Sequence, residues 1–285
     1  MTTAELIKRA VAELEAVGIE HDDAVSDTRF LLCDALDIEY KDLLLMQGKE
    51  ADEADKLRFE EYIKKRRQRI PCQYITGKAY FMGRVFTVAE GVLVPRPETE
   101  LLVENAVKLA DSIDGSRQGL RVLDLCTGSG CIGISFFLER GCVDEVKLSD
   151  ISYDALKTTA KNRDRLAPEV GIVKSDLFNA LDERFDIILS NPPYIKSSDI
   201  EELVPEVKDR EPRLALDGKN DGLYFYRRII DELEEHLYDN GICAFEIGYD
   251  QGEAVGQLLV DAGFKDVSVI KDYADLDRIV TGKLA

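Results

Sequence analysis

The segment Asn191-Pro192-Pro193-Tyr194 has residue types and spacing that could hold a planar amino group. It follows the apolar run Phe185–Ser190, which predicts a buried strand bounded by turn residues. The side-chain oxygen of Asn191 and the backbone carbonyl of Pro192 can each accept one N–H, and Tyr194 can lie against the flat face of the group. This arrangement suits methylation of an amide or aromatic-amine nitrogen, although a tight strand-to-loop turn without a chemical role would also explain it.

A glycine-rich segment, residues 124–133, follows another predicted strand and begins a predicted helix. Gly128, Gly130 and Gly133 have the spacing G-x-G-x-x-G, which is typical of turns that bind a dinucleotide. Asp150 ends the next predicted strand, about 20 residues further on, where a carboxylate can hold a ribose diol. The pattern therefore allows a nicotinamide-dependent oxidoreductase, or glycines that serve only close helix–strand packing.

An adenosyl sulfonium fits this segment better than a dinucleotide does. The charge of Asp124, within the turn, would repel a pyrophosphate but can help to hold the ammonium end of an amino acid, directly or through water. A dehydrogenase also needs a proton-relay group, and neither His21 nor His236 is expected near a nicotinamide. The Tyr-x-x-x-Lys spacings that begin at Tyr74 and Tyr153 are no better situated.

A third acidic residue, Asp176, follows the next predicted strand. Its carboxylate can accept from the exocyclic amine of adenine, while Leu177 covers the ring. Asp124, Asp150 and Asp176 would then hold methionine tail, ribose and adenine at three successive strand ends, where open α/β sheets bind their ligands. Asn191 ends the fourth strand, beside the expected position of the sulfonium methyl.

Residues 1–78 are predicted to form a small helical domain, because apolar residues recur there at helical spacing. A charged helix over residues 52–69 should end before Pro71. It contains a dense basic run, residues 64–69, which is compatible with a solvated helix face and with a contact to RNA or to an acidic partner.

Residues 79–97 are predicted to form a β-hairpin linker, with two short strands around Gly83-Arg84. Stiff, extended backbone is expected around Pro95 and Pro97. We expect a helix to begin there with Thr99 as its N-cap.

Residues 98–285 are predicted to form the catalytic domain. From about residue 120 onward, strands and helices alternate, which indicates a mainly parallel sheet with helices on both faces. The last two predicted strands, residues 264–270 and 278–281, lack an intervening helix and should pair antiparallel.

The composition narrows the class of protein further. The 285 residues are 45% hydrophobic and 33% charged, as in globular proteins, and no apolar run approaches the roughly 20 residues of a membrane span. The N-terminus lacks the pattern of a signal peptide. The net charge of −19 argues against a nucleic-acid backbone as main partner and suits a basic protein.

Two histidines and scattered cysteines without a Cys-x-x-Cys pair argue against a metal site. Reduced thiols in the cytoplasm are the simplest interpretation of this cysteine usage. The cysteines are Cys33, Cys72, Cys126, Cys131, Cys142 and Cys243.

With these motifs, the chain resembles the class I S-adenosylmethionine-dependent methyltransferases that modify the glutamine side-chain nitrogen N5 in peptide chain release factors. The Asn-Pro-Pro-Tyr motif alone is shared with adenine- and guanine-amine methyltransferases. The segment Pro95-Arg96-Pro97-Glu98-Thr99-Glu100 is far more specific. The resemblance covers nearly the whole chain and includes residues 71–77, 81–83, 94–100, 124–132, 191–195, 210–212, 221–223 and 245–248.

The resemblance implies a Rossmann-like, seven-stranded methyltransferase sheet with a small helical N-terminal domain and a hairpin linker. We expect the N-terminal domain to recognise the protein substrate, although a stabilising lid would also explain it. The cofactor would be S-adenosylmethionine, and the release factor could bring the enzyme close to the ribosome. Cofactor-binding residues would be Cys126, Thr127, Gly128, Ser129, Gly130, Asp150, Leu177 and Asn191, and Asp176 is expected to join them as the acceptor for the adenine amine. The glutamine would be held by Asn191, Pro192, Pro193 and Tyr194, with Asn191, Pro192 and Tyr194 as catalytic residues.

Two residues depart from the family pattern: Cys126 stands where a glycine is usual, and Leu177 where an aromatic residue often lies. Three others have open roles. Arg96 and Glu98 could orient substrate backbone or attach the linker to the catalytic domain, and Glu246 could face the site or cap a loop.

Other functions would require other features. A methyltransferase acting on adenine or guanine amines of nucleic acid needs a basic groove and a target-recognition insert, which the acidic balance and compact catalytic half do not favour. A non-enzymatic cofactor-binding protein would be expected to have lost Asn191 or the glycines, and both are present.

Overall fold

A computed structural model of the chain describes residues 1–46, 48–111, 113, 119–141, 143 and 145–285. The chain divides into two compact units, Met1–Lys78 and Ala79–Ala285. Residues 79–97, predicted as a linker, lie within the second unit. Cys142, one of the thiols predicted to be reduced, is outside the described residues.

The first unit is helical, as predicted. Its first helix begins with a capping box, in which Thr2 and Glu5 hydrogen bond to each other's backbone N–H. Its buried core is built from aliphatic side chains together with Phe59 and Cys72. The helices are α1 (Thr3–Glu15), α2 (His21–Leu36), α3 (Tyr40–Leu43), α4 (Glu53–Arg66) and α5 (Cys72–Thr76), with a 3-10 turn at Leu44–Met46.

The second unit alternates strands and helices. The strands are β1 (Lys78–Phe81), β2 (Arg84–Thr87), β3 (Arg121–Leu125), β4 (Glu145–Asp150), β5 (Gly171–Lys174), β6 (Phe185–Ser190), β7 (Leu237–Glu246), β8 (Lys265–Lys271) and β9 (Asp277–Lys283). The helices are α6 (Pro97–Ala110), α7 (Cys131–Arg140), α8 (Tyr153–Leu166), α9 (Pro205–Lys208), α10 (Arg213–Leu216), α11 (Tyr224–His236) and α12 (Gly252–Asp261), with a 3-10 turn at Asp199–Glu202.

Strands β3 to β9 form one sheet with the order β5-β4-β3-β6-β7-β9-β8. The first five are parallel, and β9 runs antiparallel to both β7 and β8, which confirms the prediction for the last two strands. Leu125 is in register with Ser149 of β4 and with Ser190 of β6, so the carboxyl ends of these strands meet at one edge. The chain runs outward in both directions from β3 and β6, which makes this edge the topological switch point.

Both faces of the central parallel strands β3 and β6 are buried, as is typical of parallel sheets covered by helices. Val122 and Ile187 belong to a core cluster that includes residues of α6 and α7. Their neighbours Leu123 and Ile188 belong to the opposite cluster, which includes residues of α11 and α12. Alternation along each strand thus fixes which residues point to each helical layer, and leaves the strand ends for the site.

The prediction that Thr99 caps its helix is wrong. Arg96 occupies the N-cap position and Pro97 begins α6, because proline favours the first helical position, where its missing N–H costs nothing. Thr99 lies within the first turn instead, and it is buried. This shift turns its hydroxyl into the interior, where it meets the site described below.

Candidate active site

A cavity of about 300 Å³ lies at the carboxyl ends of the parallel strands. Its wall includes residues at or just beyond the ends of four strands: Leu125 of β3, Asp150 of β4, Asp176 after β5 and Asn191 after β6. Asp150, Asp176 and Asn191 were predicted at this edge from the sequence, and all three lie in the wall of one cavity.

The glycine-rich turn forms one side of the cavity. Cys126, Thr127, Gly128 and Ser129 line it, whereas Gly130 is not among the described residues of the wall. The N–H of Thr127 donates to the carbonyl of Ser149 on β4 at 2.9 Å, and the N–H of Gly130 donates to the carbonyl of Thr127 at 2.9 Å. These bonds attach the turn to the sheet and close it tightly.

The turn depends on left-handed backbone. Cys126, Gly128 and Gly130 have φ values of 61°, 58° and 84°. A Cβ at Gly128 would meet no described atom within 4 Å, so that the turn presents open backbone to the cavity. The left-handed conformation of Cys126 is energetically unfavourable for any residue with a Cβ. A glycine would therefore suit this position.

Asp124 was expected to help hold the ammonium end of a ligand, directly or through water, and its burial leaves no surface for the direct contact. Asp124 is fully buried and is not among the described residues that line the cavity. Its Oδ2 accepts from the hydroxyl of Thr127 at 2.5 Å and from the N–H of Gly133 at 2.9 Å, so it ties the turn to α7 from below. Burial raises the pKa of Asp124 to about 7, although the bonds from Thr127 and Gly133 favour the charged form.

Two residues of α8, which no sequence motif indicated, hold the turn from its other side. The hydroxyl of Thr159 donates to the carbonyl of Gly128 at 2.7 Å, and the amide of Asn162 donates to the carbonyl of Ser129 at 2.9 Å. Asn162 also exchanges hydrogen bonds with the backbone of Thr87 on β2. The sequence gives little indication of this role. Thr159 and Asn162 differ from most of the other polar residues of α8 mainly in being buried, which only the fold reveals.

Asp150 borders the cavity at the end of β4. Its Oδ2 accepts from the N–H of Gly128 at 2.9 Å and its Oδ1 from the N–H of Ser152 at 2.8 Å. Burial raises the pKa of Asp150, and these two N–H donors partly oppose that shift. Each carboxylate oxygen can accept a second bond, so Asp150 can still receive hydroxyl groups from a ligand.

Asp176 and Leu177 also line the cavity, but Asp176 is already engaged. Its Oδ1 accepts from Nη1 of Arg228 on α11 at 3.1 Å, and the Arg228 guanidinium lies 5.8 Å from the ring centre of Tyr224. Arg228 and Tyr224 also line the cavity. They were not predicted, because the apolar pattern of a helix does not show which strand end the helix faces.

Asn191 and Pro193 line the cavity, whereas Pro192 and Tyr194 are not among the described residues of its wall. Nδ2 of Asn191 donates to Oγ1 of Thr99 at 3.5 Å. This bond turns the amide nitrogen toward α6. The backbone carbonyl of Tyr194 accepts from the side chain of Gln251 at 3.0 Å, which anchors the end of the motif.

Glu246, the last residue of β7, lies beside the end of β6 that leads to Asn191, and it is not among the described residues of the cavity wall. It is buried, and its carboxylate interacts with the side chains of Thr99 and Asn191. Burial raises the pKa of Glu246 to about 7, while Thr99, Asn191 and the charge of Arg278 favour its charged form.

Arg96 attaches the segment before α6 to the loop before α10. Its Nη2 donates to both carboxylate oxygens of Glu211, at 2.7 and 2.8 Å. Burial raises the pKa of Glu211, and the guanidinium opposes that shift. Arg96 also lines the cavity, so both roles considered for it remain compatible with its position, whereas Glu98 is exposed on the first turn of α6.

The described residues contain no group of three or more His, Cys, Asp or Glu side chains that could hold a metal ion. The five cysteines of the described ranges are unpaired thiols, and burial raises the pKa of the Cys126 and Cys131 thiols beside the cavity. Within the same ranges, we find no helix with the length and apolar character needed to span a membrane.

Two family models match successive parts of the chain. A family model described as the PrmC N-terminal domain matches residues 5–77, and one described as a methyltransferase small domain matches residues 98–210. The release factor glutamine methyltransferase of Cereibacter sphaeroides is 40% identical over 286 residues, covering 100% of this chain and 99% of the relative. The chain belongs to the release factor glutamine methyltransferase family.

Another member of this family, from Clostridium acetobutylicum, is 39% identical over 281 residues, which are 96% of this chain and 97% of the relative. Among solved structures, a methyltransferase from Pyrococcus furiosus is similar with a TM-score of 0.52 at 17% identity, over 71% of this chain and 89% of that chain. This structural likeness concerns the fold, and it agrees with the predicted seven-stranded methyltransferase sheet.

Proposed function

We propose that this enzyme transfers a methyl group from S-adenosylmethionine to the side-chain nitrogen N5 of a glutamine in a peptide chain release factor. One observation carries the proposal: the amide nitrogen of Asn191 donates to Thr99, so its oxygen remains available at the wall of a cavity beside the glycine turn. The names of the relatives give the same activity.

The lining residues fit an adenosyl sulfonium with an amino-acid tail. The open backbone at Gly128 leaves room for the tail, Asp150 can accept from ribose hydroxyls, and the Leu177 side chain can cover a purine ring. Cys126, Thr127, Ser129, Gly130 and Asp176 complete the proposed cofactor site. When bound, S-adenosylmethionine supplies an electrophilic methyl group.

The proposed substrate site acts by orientation and polarisation. A carboxamide nitrogen is a weak nucleophile because its lone pair is delocalised into the carbonyl. The Asn191 oxygen and the Pro192 carbonyl would accept the two N–H groups, whose polarity increases as positive charge develops on nitrogen. Such contacts strengthen in the transition state, which lowers the barrier without a strong base.

Pro192 and Pro193 stiffen the backbone that carries these acceptors. Tyr194 would cover the flat face of the glutamine amide, which requires its ring to reach the cavity when substrate binds. The helical unit Met1–Lys78 would recognise the protein substrate. A release factor as substrate implies a cytoplasmic enzyme that works close to the ribosome.

The test offers labelled S-adenosylmethionine to the enzyme with release factor, with DNA and with neither, followed by mass spectrometry of the modified peptide. We expect one methyl group on a glutamine of the release factor. Asn191→Ala should lower the rate by about 10²–10³, as loss of a preorganised electrostatic partner does.

The matched control is Asn105→Ala, because Asn105 bonds only to the carbonyl of Leu101 among the described contacts of α6 and should leave the rate near wild type. Label in DNA, or an Asn191→Ala enzyme with near-normal turnover, would contradict the proposal.

A further inference from the structure

We propose that Glu246 is a positioning residue whose buried carboxylate determines which way the Asn191 amide faces. The inference rests on the proposed function, since it explains how the amide oxygen is kept toward the substrate. Glu246 itself is not among the described residues that line the cavity, so it would act through Asn191.

The sheet register brings the two residues together. Ser190, the last residue of β6, pairs with Phe245 of β7, so each of the next residues, Asn191 just beyond β6 and Glu246 at the end of β7, follows a paired neighbour. Glu246 is 2% exposed. Its Oε2 is buried and has no hydrogen-bond partner among the described residues. A carboxylate oxygen left without a partner in the interior is costly, so a role beyond stability would account for it.

The chemistry of the neighbours explains why a carboxylate can set the amide orientation. An asparagine amide can be flipped so that its oxygen and nitrogen exchange places. The Thr99 hydroxyl lies 3.5 Å from the Asn191 nitrogen. It would stabilise both amide orientations, because a hydroxyl both donates and accepts. An ionised carboxylate only accepts, so Glu246 favours the state in which Nδ2 faces it. The amide oxygen is then left for the substrate.

The charge state of Glu246 follows from several elements packed around it. Burial and the charge of Glu98 oppose ionisation of the Glu246 carboxylate, whereas the neighbouring polar side chains of Thr99 and Asn191 and the charge of Arg278 on β9 favour it. Three further titratable groups interact with it electrostatically, namely Tyr194, Tyr226 and Cys131. A protonated Glu246 could donate to the amide oxygen, and the orientation would then no longer be enforced.

The test compares Glu246→Met with Glu246→Gln in methylation of the release factor. Met keeps the volume and removes both acceptors, so kcat should fall about tenfold or more, whereas Gln keeps one acceptor oxygen and should rescue part of the loss. The Kd for S-adenosylmethionine, measured by calorimetry, should change by less than about twofold in both variants. A residue that merely supported the fold would change both quantities.

The pH profile provides a second measurement. Below the pKa of Glu246, about 7, the wild-type kcat should decline as the carboxylate is protonated. In Glu246→Gln this decline should disappear, because the amide does not titrate. The profile also tests the proposal if Glu246→Met fails to fold.

A double variant tests whether Glu246 acts through Asn191. In an Asn191→Ala background, Glu246→Met should add less than about a twofold loss, because the group that it orients is absent. The control is Asp186→Asn, which changes another buried carboxylate, one that accepts from the Arg121 N–H at the opposite end of β6. It should affect stability and leave kcat near wild type.

The outcomes separate the two proposals. If the wild type methylates no glutamine, the proposed function fails. If the wild type methylates glutamine, three results would overturn the positioning role. Glu246→Met could keep the wild-type kcat, or it could lower the kcat of Asn191→Ala by the same factor as it lowers the wild-type kcat. It could also raise the Kd for S-adenosylmethionine by as large a factor as it lowers kcat.

Discussion

Gly133 on α7 packs directly against Leu148 on β4, so closely that a Cβ on the glycine would lie 2.3 Å from Cδ2 of the leucine. The same Cβ would lie 2.9 Å from the Cβ of Asp124. The third glycine of the G-x-G-x-x-G pattern therefore serves the close approach of helix and sheet beneath the turn. Its N–H also donates to Asp124, so this contact holds the turn in position.

Gly133→Ala should destabilise the second unit by about 1–3 kcal/mol, because an extra methyl group in a filled core forces neighbours to move. Urea unfolding would measure the change. Gly256→Ala is the matched control, since Gly256 lies within α12 and a Cβ there would make only an ordinary contact, 3.6 Å from Val267. That control should be neutral or stabilising by up to about 1 kcal/mol. Equal losses in both variants would contradict the packing explanation.

Asp124→Asn should change how stability depends on pH. The folded pKa of Asp124 is raised to about 7, above its value in the unfolded chain, so its stabilising contribution is full below the unfolded pKa and is lost as pH rises through about 7. Asparagine resembles the protonated form at every pH. The Tm of the wild type relative to Asp124→Asn should therefore fall between pH 5 and pH 8.

Thermal unfolding across this pH range measures the difference directly, and other buried carboxyls such as Glu211 contribute to both proteins alike. A constant difference in Tm between pH 5 and pH 8 would show that Asp124 is not the titrating group.

The alternation of strands and helices was enough to predict the parallel sheet and to bring Asp150 and Asn191 to one edge, because parallel strands end on the same side. Side-chain direction was not predictable in the same way. Asp124 has the same sequence signature as a ligand-binding carboxylate, yet it points under the turn. That direction depends on the strand pleat and on the packing of α7, which a linear motif does not record.

The sequence pattern also could not predict hydrogen bonds between residues that are distant in sequence. Asp176 is paired with Arg228, 52 residues away, and Asn191 with Thr99, 92 residues away. Such pairs arise only when the sheet order and helix rotation are known. The error at Thr99 was different, since Pro97 already carried a local signal for the first helical position, and that signal outweighs a threonine two residues later.

The left-handed φ of Cys126 predicts a measurable difference between two substitutions. Cys126→Gly removes the Cβ and relieves the strained backbone, whereas Cys126→Ala keeps that strain and loses the sulfur. The glycine variant should be more stable than the alanine variant by about 1 kcal/mol, as judged by urea unfolding. Because both variants lack the thiol, this comparison isolates the backbone. An alanine variant as stable as the glycine variant would exclude strain at this position.

Asp150→Ala should mainly weaken binding of S-adenosylmethionine. The carboxylate lines the cavity and orients the Gly128 N–H at 2.9 Å, so its removal takes away a charged acceptor and loosens the turn. A hydrogen bond to a charged group contributes about 1.5–3 kcal/mol, which corresponds to a rise in Kd of roughly 10–100-fold. Calorimetry measures Kd, and kcat at saturating cofactor should change less.

Asp176→Ala is the control for Asp150→Ala, and the quantity compared is the Kd for S-adenosylmethionine. Asp176 borders the same cavity, but one of its oxygens is already engaged by Arg228 at 3.1 Å, and its side chain is 40% exposed. A carboxylate that is partly exposed to solvent and already paired forms a weaker hydrogen bond with a ligand. Removing Asp176 should therefore raise Kd less than Asp150→Ala does. The opposite order would mean that the Arg228 pair opens when cofactor binds and that Asp176 is the principal acceptor.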